Sequence, residues 1–318
     1  MASLNDFLEW DVEKELVIGT YLYPYVIFSG FKPEDPYTAT EIISEISISD
    51  ERIFITRNGG LFSRPPEELV GIINDPDSSM NHFNKKLQYK DNFTDLSNRI
   101  ICELCLLGII SEPITPVHVS SGSLVENHAV IMAGSGGREQ YLHRTLRPFM
   151  HLFQPAWYLY RVIDSEILNK VQKLEYTKGL IEISENLPLF ISSAYSHFST
   201  QQIGESLINS WIVVEQIIDK LWEEFSENFD ESGRTGRLKD TRIYTSSVRI
   251  EILYLIGAIN SREYEIFQLA RHHRNQLAHR ASVTLDWAKE SMTAMKYAIE
   301  HLISDTVAEP YTDRSVTW

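Results

Sequence analysis

The sequence predicts a chain in two parts, an α+β N-terminal region followed by an all-α helical bundle. Three observations carry this. Through the first 137 residues, short runs rich in β-branched and aromatic residues alternate with turn residues. Beyond them, apolar residues recur at three-four spacing in one long window after another. Between the two stands the break Gly134-Ser135-Gly136-Gly137. The expected domains are 1–137, a mixed α/β sensor or regulatory region, 138–308, the helical bundle, and 309–318, a loosely ordered tail.

Taken in order, Leu16-Val17-Ile18 and Tyr21 to Phe28 read as strands, with Pro24 confining the second to an edge. Ile42 to Ile48 and Arg52 to Thr56 form a strand pair split by Ser49-Asp50, and Asn58-Gly59-Gly60 closes it as a turn. Ser63 to Asn74 reads as a short helix with Pro65 and Pro66 in its first turn. The Asp- and Asn-rich stretch from Asn74 to Asp95 reads as loop. Leu96 to Ile110 then reads as a buried helix ending at Gly108, followed by strands Ile114 to Val119 and Leu124 to Met132 joined around Ser120-Ser121-Gly122-Ser123. The later glycine run lacks the Lys-Ser/Thr ending of a phosphate-binding loop, so a turn is favoured over a phosphate cradle.

From Arg138 the pattern is helical. Trp157 to Leu174 carries apolar residues at Tyr160, Ile163, Ile167, Val171 and Leu174. Gly179 and Pro188 mark a break before a shorter helix through His197, and Ser199 to Gln202 can cap the next one. That helix, Gln201 to Phe225, has the stripe Ile203, Leu207, Trp211, Ile218, Leu221, Trp222 and Phe225. Asn228 to Arg242 reads as loop. Val248, Ile252, Leu255 and Ile259 give another helix, Ser261 to Ala281 the next with Ser261 as cap, and Leu285 to Leu302 the last.

The composition bounds the function. Hydrophobic content of 43% and charged content of 23% are those of a globular chain with a core. The longest apolar run, Ile100 to Ile110, is interrupted by Glu103 and too short to span a bilayer. The N-terminus has no basic and apolar leader, and two cysteines make no disulfide framework, so a cytoplasmic protein without a membrane partner is expected. Cys102 and Cys105 have no further cysteine to complete a metal set and read as small apolar packing residues. A net charge of −15 predicts weak non-specific affinity for nucleic acid.

Against that charge one stretch stands out. Arg271-His272-His273-Arg274-Asn275-Gln276-Leu277-Ala278-His279-Arg280 holds three arginines and three histidines in ten residues. Ile266, Ala270, His273, Leu277 and Ala281 share one helical face, while Arg271, Asn275 and His279 form a stripe on another. Histidine titrates near neutral pH and arginine grips phosphate with a planar fork, so the set reads as acid–base chemistry beside an anion. Arg234, Arg237, Lys239, Arg242 and Arg249 precede it against one acid, Asp240. They form either a basic RNA-binding patch together with Arg271 and Arg280, or a solvated loop with scattered charges. Glu215 falls inside an apolar stripe, one turn from Trp211 and Ile218. It either orients Arg274 or His279 from a neighbouring helix or forms a structural pair at the core rim.

Arg274-Asn275-Gln276-Leu277-Ala278-His279 resembles the Arg-(Asn/His/Asp)-x-x-x-His signature of the HEPN superfamily, and Trp211 to Glu215 resembles the Trp-x-x-x-Glu helix of its Apea-like group among prokaryotic defence proteins. The likeness covers roughly the C-terminal half. Arg138 to His143 and Arg144 to His151 repeat the spacing, but neither arginine is followed by Asn, His or Asp. The resemblance implies a HEPN-type helical bundle acting as a metal-independent endoribonuclease without cofactor. In it His279 is the general base or acid, Arg274 holds the phosphate and Asn275 orients His279 or the substrate. It further implies RNA as partner, with tRNA a candidate, a homodimer that sets two motifs face to face, a defence or toxin role, and an antitoxin or activating ligand that restrains the enzyme. The competing expectation is a non-catalytic module of the same kind that binds RNA or a protein.

Overall fold

The computed structural model describes residues 15–22, 26–30, 36–48, 51–73, 80–131, 161–228, 234–280 and 282–309. Two compact units divide the chain: Met1–Ser97 with Ile114–Lys173, and Asn98–Pro113 with Leu174–Trp318. The changeover along the chain therefore comes at Lys173/Leu174. The glycine run, the two further Arg/His spacings, Trp157, Tyr160 and residues 310–318 lie outside the described residues, as does the 137/138 boundary.

In the first unit β1 (Glu15–Tyr21), β2 (Val26–Phe28), β3 (Ile42–Ile48), β4 (Glu51–Thr56), β5 (Gly60–Ser63), β6 (Ser120–Val125), β7 (His128–Ile131) and β8 (Arg161–Ile163) are the strands among the described residues. Six of them form one antiparallel sheet in the order β3-β4-β5-β1-β6-β7, while β2 and β8 pair in parallel. The sheet closes on itself at one end. Glu41 bridges to His128, the amide of Ile42 donates to Asn127 O at 2.8 Å, and Asn127 Nδ2 donates to Ile42 O at 3.1 Å. Joining the edges removes unpaired backbone there. The enclosed face holds Val17, Tyr21, Phe54, Phe62, Leu124, Ala129 and Ile131, with Ile42 packed against them.

Local chemistry sets the hairpins. At the β4–β5 turn Gly59 takes φ 76°, and Thr56 Oγ1 accepts from the amide of Gly60 at 2.9 Å. The β6–β7 turn is Glu126-Asn127, so the serine-rich Ser120–Ser123 lies within a strand instead of joining two. Gly122 is required there, since a Cβ would sit 2.4 Å from Val130 O. The strand expected over Ile114 to Val119 is replaced by a 3-10 turn, Pro116–His118, because Pro116 cannot donate to a ladder.

The helices among the described residues of this unit are α1 (Glu67–Ile73), the first part of α2 (Met80–Leu106), and α3 (Ser165–Lys173). The loop expected through Asp95 is thus helix from Met80 onward. Tyr89, Phe93, Leu96 and Ile100 recur at helical spacing and are buried, a signal hidden by the polar residues between them. Tyr89 fixes α2 to the outer face of the sheet: its hydroxyl meets Ser63 Oγ at 3.0 Å and donates to Arg64 O at 2.8 Å, and burial pushes its pKa up to about 12. The long helix expected from Trp157 is also shorter, because Arg161–Ile163 pairs as β8 before α3 begins.

In the second unit α2 ends at Leu106, two residues before the expected Gly108. Gly108 at φ 88° terminates it, with Ile109 N donating to Leu104 O and Gly108 N to Cys105 O. Then follow α4 (Glu175–Ile181), α5 (Leu187–Ser199), α6 (Ile203–Glu227), α7 (Arg234–Leu238), α8 (Ser246–Leu255), α9 (Ser261–Arg280) and α10 (Leu285–Ile303). The expected loop at Asn228 to Arg242 contains α7, and Gly179 lies inside α4 instead of breaking it. Helix α6 is central, with α5, α8, α9 and α10 packed on it. Helix α8 faces inward with Arg249, Ile250 and Leu253, while the expected core residues Val248 and Leu255 are exposed. Among the described residues no helix is long and apolar enough to cross a membrane.

Glu103 holds the start of α4. Leu174 precedes that helix in the left-handed region and supplies no side-chain cap. Glu103, 1% exposed, takes its place by accepting from Thr177 Oγ1 at 2.6 Å, Thr177 N at 2.9 Å and Tyr176 N at 3.3 Å. Burial holds its carboxyl above the ordinary carboxylate range, and these donors pull it partly back. Burial likewise pushes the Cys102 thiol well up, which leaves it protonated and unreactive.

Glu103→Ala is expected to cost about 2 kcal/mol in urea denaturation, through the lost cap and the unpaired Thr177 groups. Because the folded state binds the Glu103 proton more tightly than the unfolded chain, this group's contribution falls as pH rises from the ordinary carboxylate range through the raised value, and is level above it. Glu103→Gln keeps an acceptor for Thr177 and should flatten that slope in the same titration.

Candidate functional site

Helix α9 starts one residue earlier than its sequence suggests. Asn260, not Ser261, is the cap: its Oδ1 accepts from the amides of Arg262 (2.9 Å) and Glu263 (3.0 Å). Glu263 Oε2 returns the bond to the amide of Asn260 at 2.8 Å, a reciprocal capping arrangement. The other Glu263 oxygen meets His301 Nδ1 at 3.0 Å, which ties the start of α9 to the end of α10.

The buried face of α9 carries Phe267, Ala270 and His273. His273 belongs to the core. Its Nε2 lies 2.5 Å from Glu290 Oε2, and its ring stacks on Trp287 with centroids 5.0 Å apart and planes at 12°. Of the three histidines, this one is removed from any chemistry at the surface.

The other motif residues face outward. His272, Arg274, His279 and Arg280 are exposed, while Arg271 and Asn275 are half-buried. Arg274 Nη1 donates to Asn275 Oδ1 at 3.0 Å. His272 Nε2 lies 2.6 Å from Gln276 Nε2, and Arg271 Nε donates to Gln268 Oε1 at 3.0 Å. Five residues along a helix rotate the side chains of Arg274 and His279 about 140° apart. The bond to Asn275 draws the guanidinium towards the stripe that Asn275 shares with His279, four residues on. Arg274 and Asn275 are thus brought together, and His279 makes no hydrogen bond or ion pair among the described residues.

The expected basic patch is largely neutralised by its own neighbours. Glu215, Asp219 and Glu223 recur every four residues along α6. Glu215 accepts from Ser246 Oγ at 2.5 Å, Asp219 pairs with Arg249, and Glu223 lies 3.9 Å from Lys239. Arg242 folds back on Asp240 at 2.8 Å and holds that carboxyl below its ordinary range. Arg237 is exposed, and Arg234 opens α7. The side chain of Glu215 therefore meets the start of α8, which favours the structural one of its two expected roles over orienting Arg274 or His279. Asp219 was the missed partner. It stands one turn beyond Glu215 and, half exposed itself, pairs with the buried Arg249, whose guanidinium also lies over Trp222 at 5.9 Å; desolvation outweighs that cation and raises the Asp219 carboxyl.

A second set of basic side chains lies on α9. Between Glu265 and Asp286 the chain has no Asp or Glu, and it holds Arg271, Arg274, Arg280 and all three motif histidines. Among the described residues no three His, Cys, Asp or Glu side chains gather to hold a metal ion. Compared with known proteins, no family model, no curated protein and no solved structure matches the chain.

The two sets of arginines should separate by experiment. Arg249→Ala removes a buried side chain with its contacts to Asp219 and Trp222 and is expected to cost about 2 kcal/mol in chemical denaturation. Arg271→Ala and Arg280→Ala should leave the unfolding midpoint unchanged, since neither has an ionic partner among the described residues.

Proposed function

We propose that the chain is a metal-independent endoribonuclease of the HEPN type that works through Arg274, Asn275 and His279. The observation that carries the reading is an exposed cation-and-histidine surface, without a carboxylate in its stretch of sequence, on a protein of net charge −15. A solvated helix face has no need of it, as lysine and glutamate are the better helix formers there. The resemblance of Arg274 to His279 to the HEPN signature supports the same conclusion.

In this reading the RNA supplies its own nucleophile. The 2′-hydroxyl attacks the adjacent phosphorus while a general base takes its proton. The bond to the 5′-oxygen breaks, and a general acid returns a proton to that leaving oxygen. His279 serves as one of these two, and among the described residues its side chain has no competing bond to give up. Arg274 neutralises the phosphoryl oxygens through its fork, and Asn275 holds the guanidinium at the edge of the His279 stripe. The products are a 2′,3′-cyclic phosphate and a 5′-hydroxyl. His279 supplies one proton carrier, and a second motif across a homodimer supplies the other.

RNA, with tRNA a candidate, is then the substrate, in a cytoplasmic defence or toxin effector. An antitoxin or an activating ligand restrains it, and the N-terminal unit serves as the regulatory part. The second reading is a HEPN-like module that binds RNA or a protein without cleaving it. The divergence of Arg274 and His279 on a single helix favours that reading for an isolated chain.

Cleavage of total RNA and of a tRNA pool in EDTA, with end-group analysis, tests the proposal. His279→Ala and Arg274→Ala should each lower the rate by about 100-fold or more. Both residues are exposed, so the unfolding midpoint should stay where it is. Activity that survives both substitutions removes the motif from the mechanism. RNA bound but uncut by the wild-type chain as a dimer supports the binding module.

A further inference from the structure

The first unit has a cleft of its own, of about 360 Å³, lined by the end of β2, the seam of the barrel and the first turn of α3. Its size falls within the roughly 300–1,000 Å³ of small-molecule sites. Phe28, Ile42, Ile43 and Leu168 give it apolar walls. Three charged side chains line it: Arg57, Glu41 and Asp164.

The cation among them is already occupied. Arg57 Nη2 and Nε both donate to Glu41 Oε2, at 2.7 and 3.3 Å, and Nη1 donates to Ser29 O at 2.5 Å. Because both bonds to Glu41 fall on the same oxygen, Oε1 keeps its lone pairs. Asp164 Oδ1 caps α3 by accepting from the amide of Ile167 at 2.9 Å. Its other oxygen has no partner among the described residues, and Asp164 has no ion pair. Among the described residues the balance of the cleft is therefore one uncompensated negative charge beside an apolar wall.

We infer that this cleft binds a small organic cation, a primary amine on a short apolar body. The ammonium group brings three donors and no acceptor, which suits Asp164 and the open oxygen of Glu41. The apolar body lies along Ile42, Ile43 and Leu168. A carboxylate ligand of the same shape meets Asp164 with like charge and finds Arg57 committed. The site stands independently of the nuclease reading, because every residue in it belongs to the first unit.

Asp164→Asn is the informative substitution. Asparagine caps a helix as well as aspartate does, so α3 is retained while the charge is removed. The full-length chain is titrated with phenethylamine and with hydrocinnamate, its anionic counterpart in shape, by calorimetry and by methyl NMR. Phenethylamine should bind saturably at millimolar concentration, hydrocinnamate should not bind, and Asp164→Asn should weaken the amine by about tenfold or more with an unchanged unfolding midpoint. The inference is overturned by any one of three results: hydrocinnamate binding as tightly as the amine, an amine affinity unchanged in Asp164→Asn, or no saturable binding of the amine to the wild-type chain.

Discussion

Helix α6 sets the terms for the second unit, because it must satisfy two kinds of neighbour at once. Its apolar stripe receives α5, α9 and α10, and at its first turns the fully buried Ser206 and Ser210 replace larger side chains. Small residues let the α10 backbone come close: Ser210 Oγ donates to Met292 Sδ at 3.2 Å, and Ser291 Oγ donates to Leu207 O at 3.3 Å. Along a different edge α6 carries Glu215, Asp219 and Glu223, and these meet Ser246, Arg249 and Lys239. Each of the three has a cation or a donor facing it. The segment from α7 into α8 supplies them, and Lys239 and Arg249 are taken up in doing so.

That pairing decides which charges are left for function. In the sequence, the arginines before α8 and those on α9 look alike, and both were candidates for one RNA-binding patch. In the structure they are different populations. Arg249 is buried and paired with Asp219, and Arg242 is turned back on Asp240. Arg274 and Arg280 stand exposed with no carboxylate nearby in sequence. The histidines divide in the same way. His273 is held by Glu290 and Trp287 in the core, whereas His279 is exposed and its side chain has no hydrogen-bond partner among the described residues.

The legible features were those that repeat along the chain. The apolar stripes of α6 and α10 and the helical span of α9 could be read from three-four spacing alone. So could β3 and β4, from alternation interrupted by turn residues. Hidden features depended on residues far apart in sequence. Nothing near Leu174 announces that Glu103 caps α4, because its partners lie 73 and 74 positions away. The start of α2 was obscured by composition, its buried Tyr89 and Phe93 being separated by Lys, Asp and Asn. The fate of Glu215 could be narrowed from sequence to a paired carboxylate at a core rim. Choosing Ser246 over Arg274 required knowing which helix lies against that edge. The closure of the barrel at Glu41 and His128 likewise joins positions with no local signal in common.

The geometry of α9 then sets a condition on any chemistry it performs. On a single straight helix, residues five apart point to different sides, so one copy cannot direct Arg274 and His279 squarely at the same phosphate. Asn275 reduces the difficulty without removing it: by accepting from Arg274 Nη1 it brings the guanidinium round to the edge of the His279 stripe. General acid–base cleavage also needs two proton carriers, and the exposed stripe of one chain offers His279 with no second histidine four residues along it, where Asn275 stands. In the proposed nuclease both shortfalls would be met by the same step, the approach of a second α9 in the opposite sense. The like-charged arginines of two such helices repel each other until an anion lies between them, so the arrangement that completes the site is also one that a phosphate backbone would stabilise.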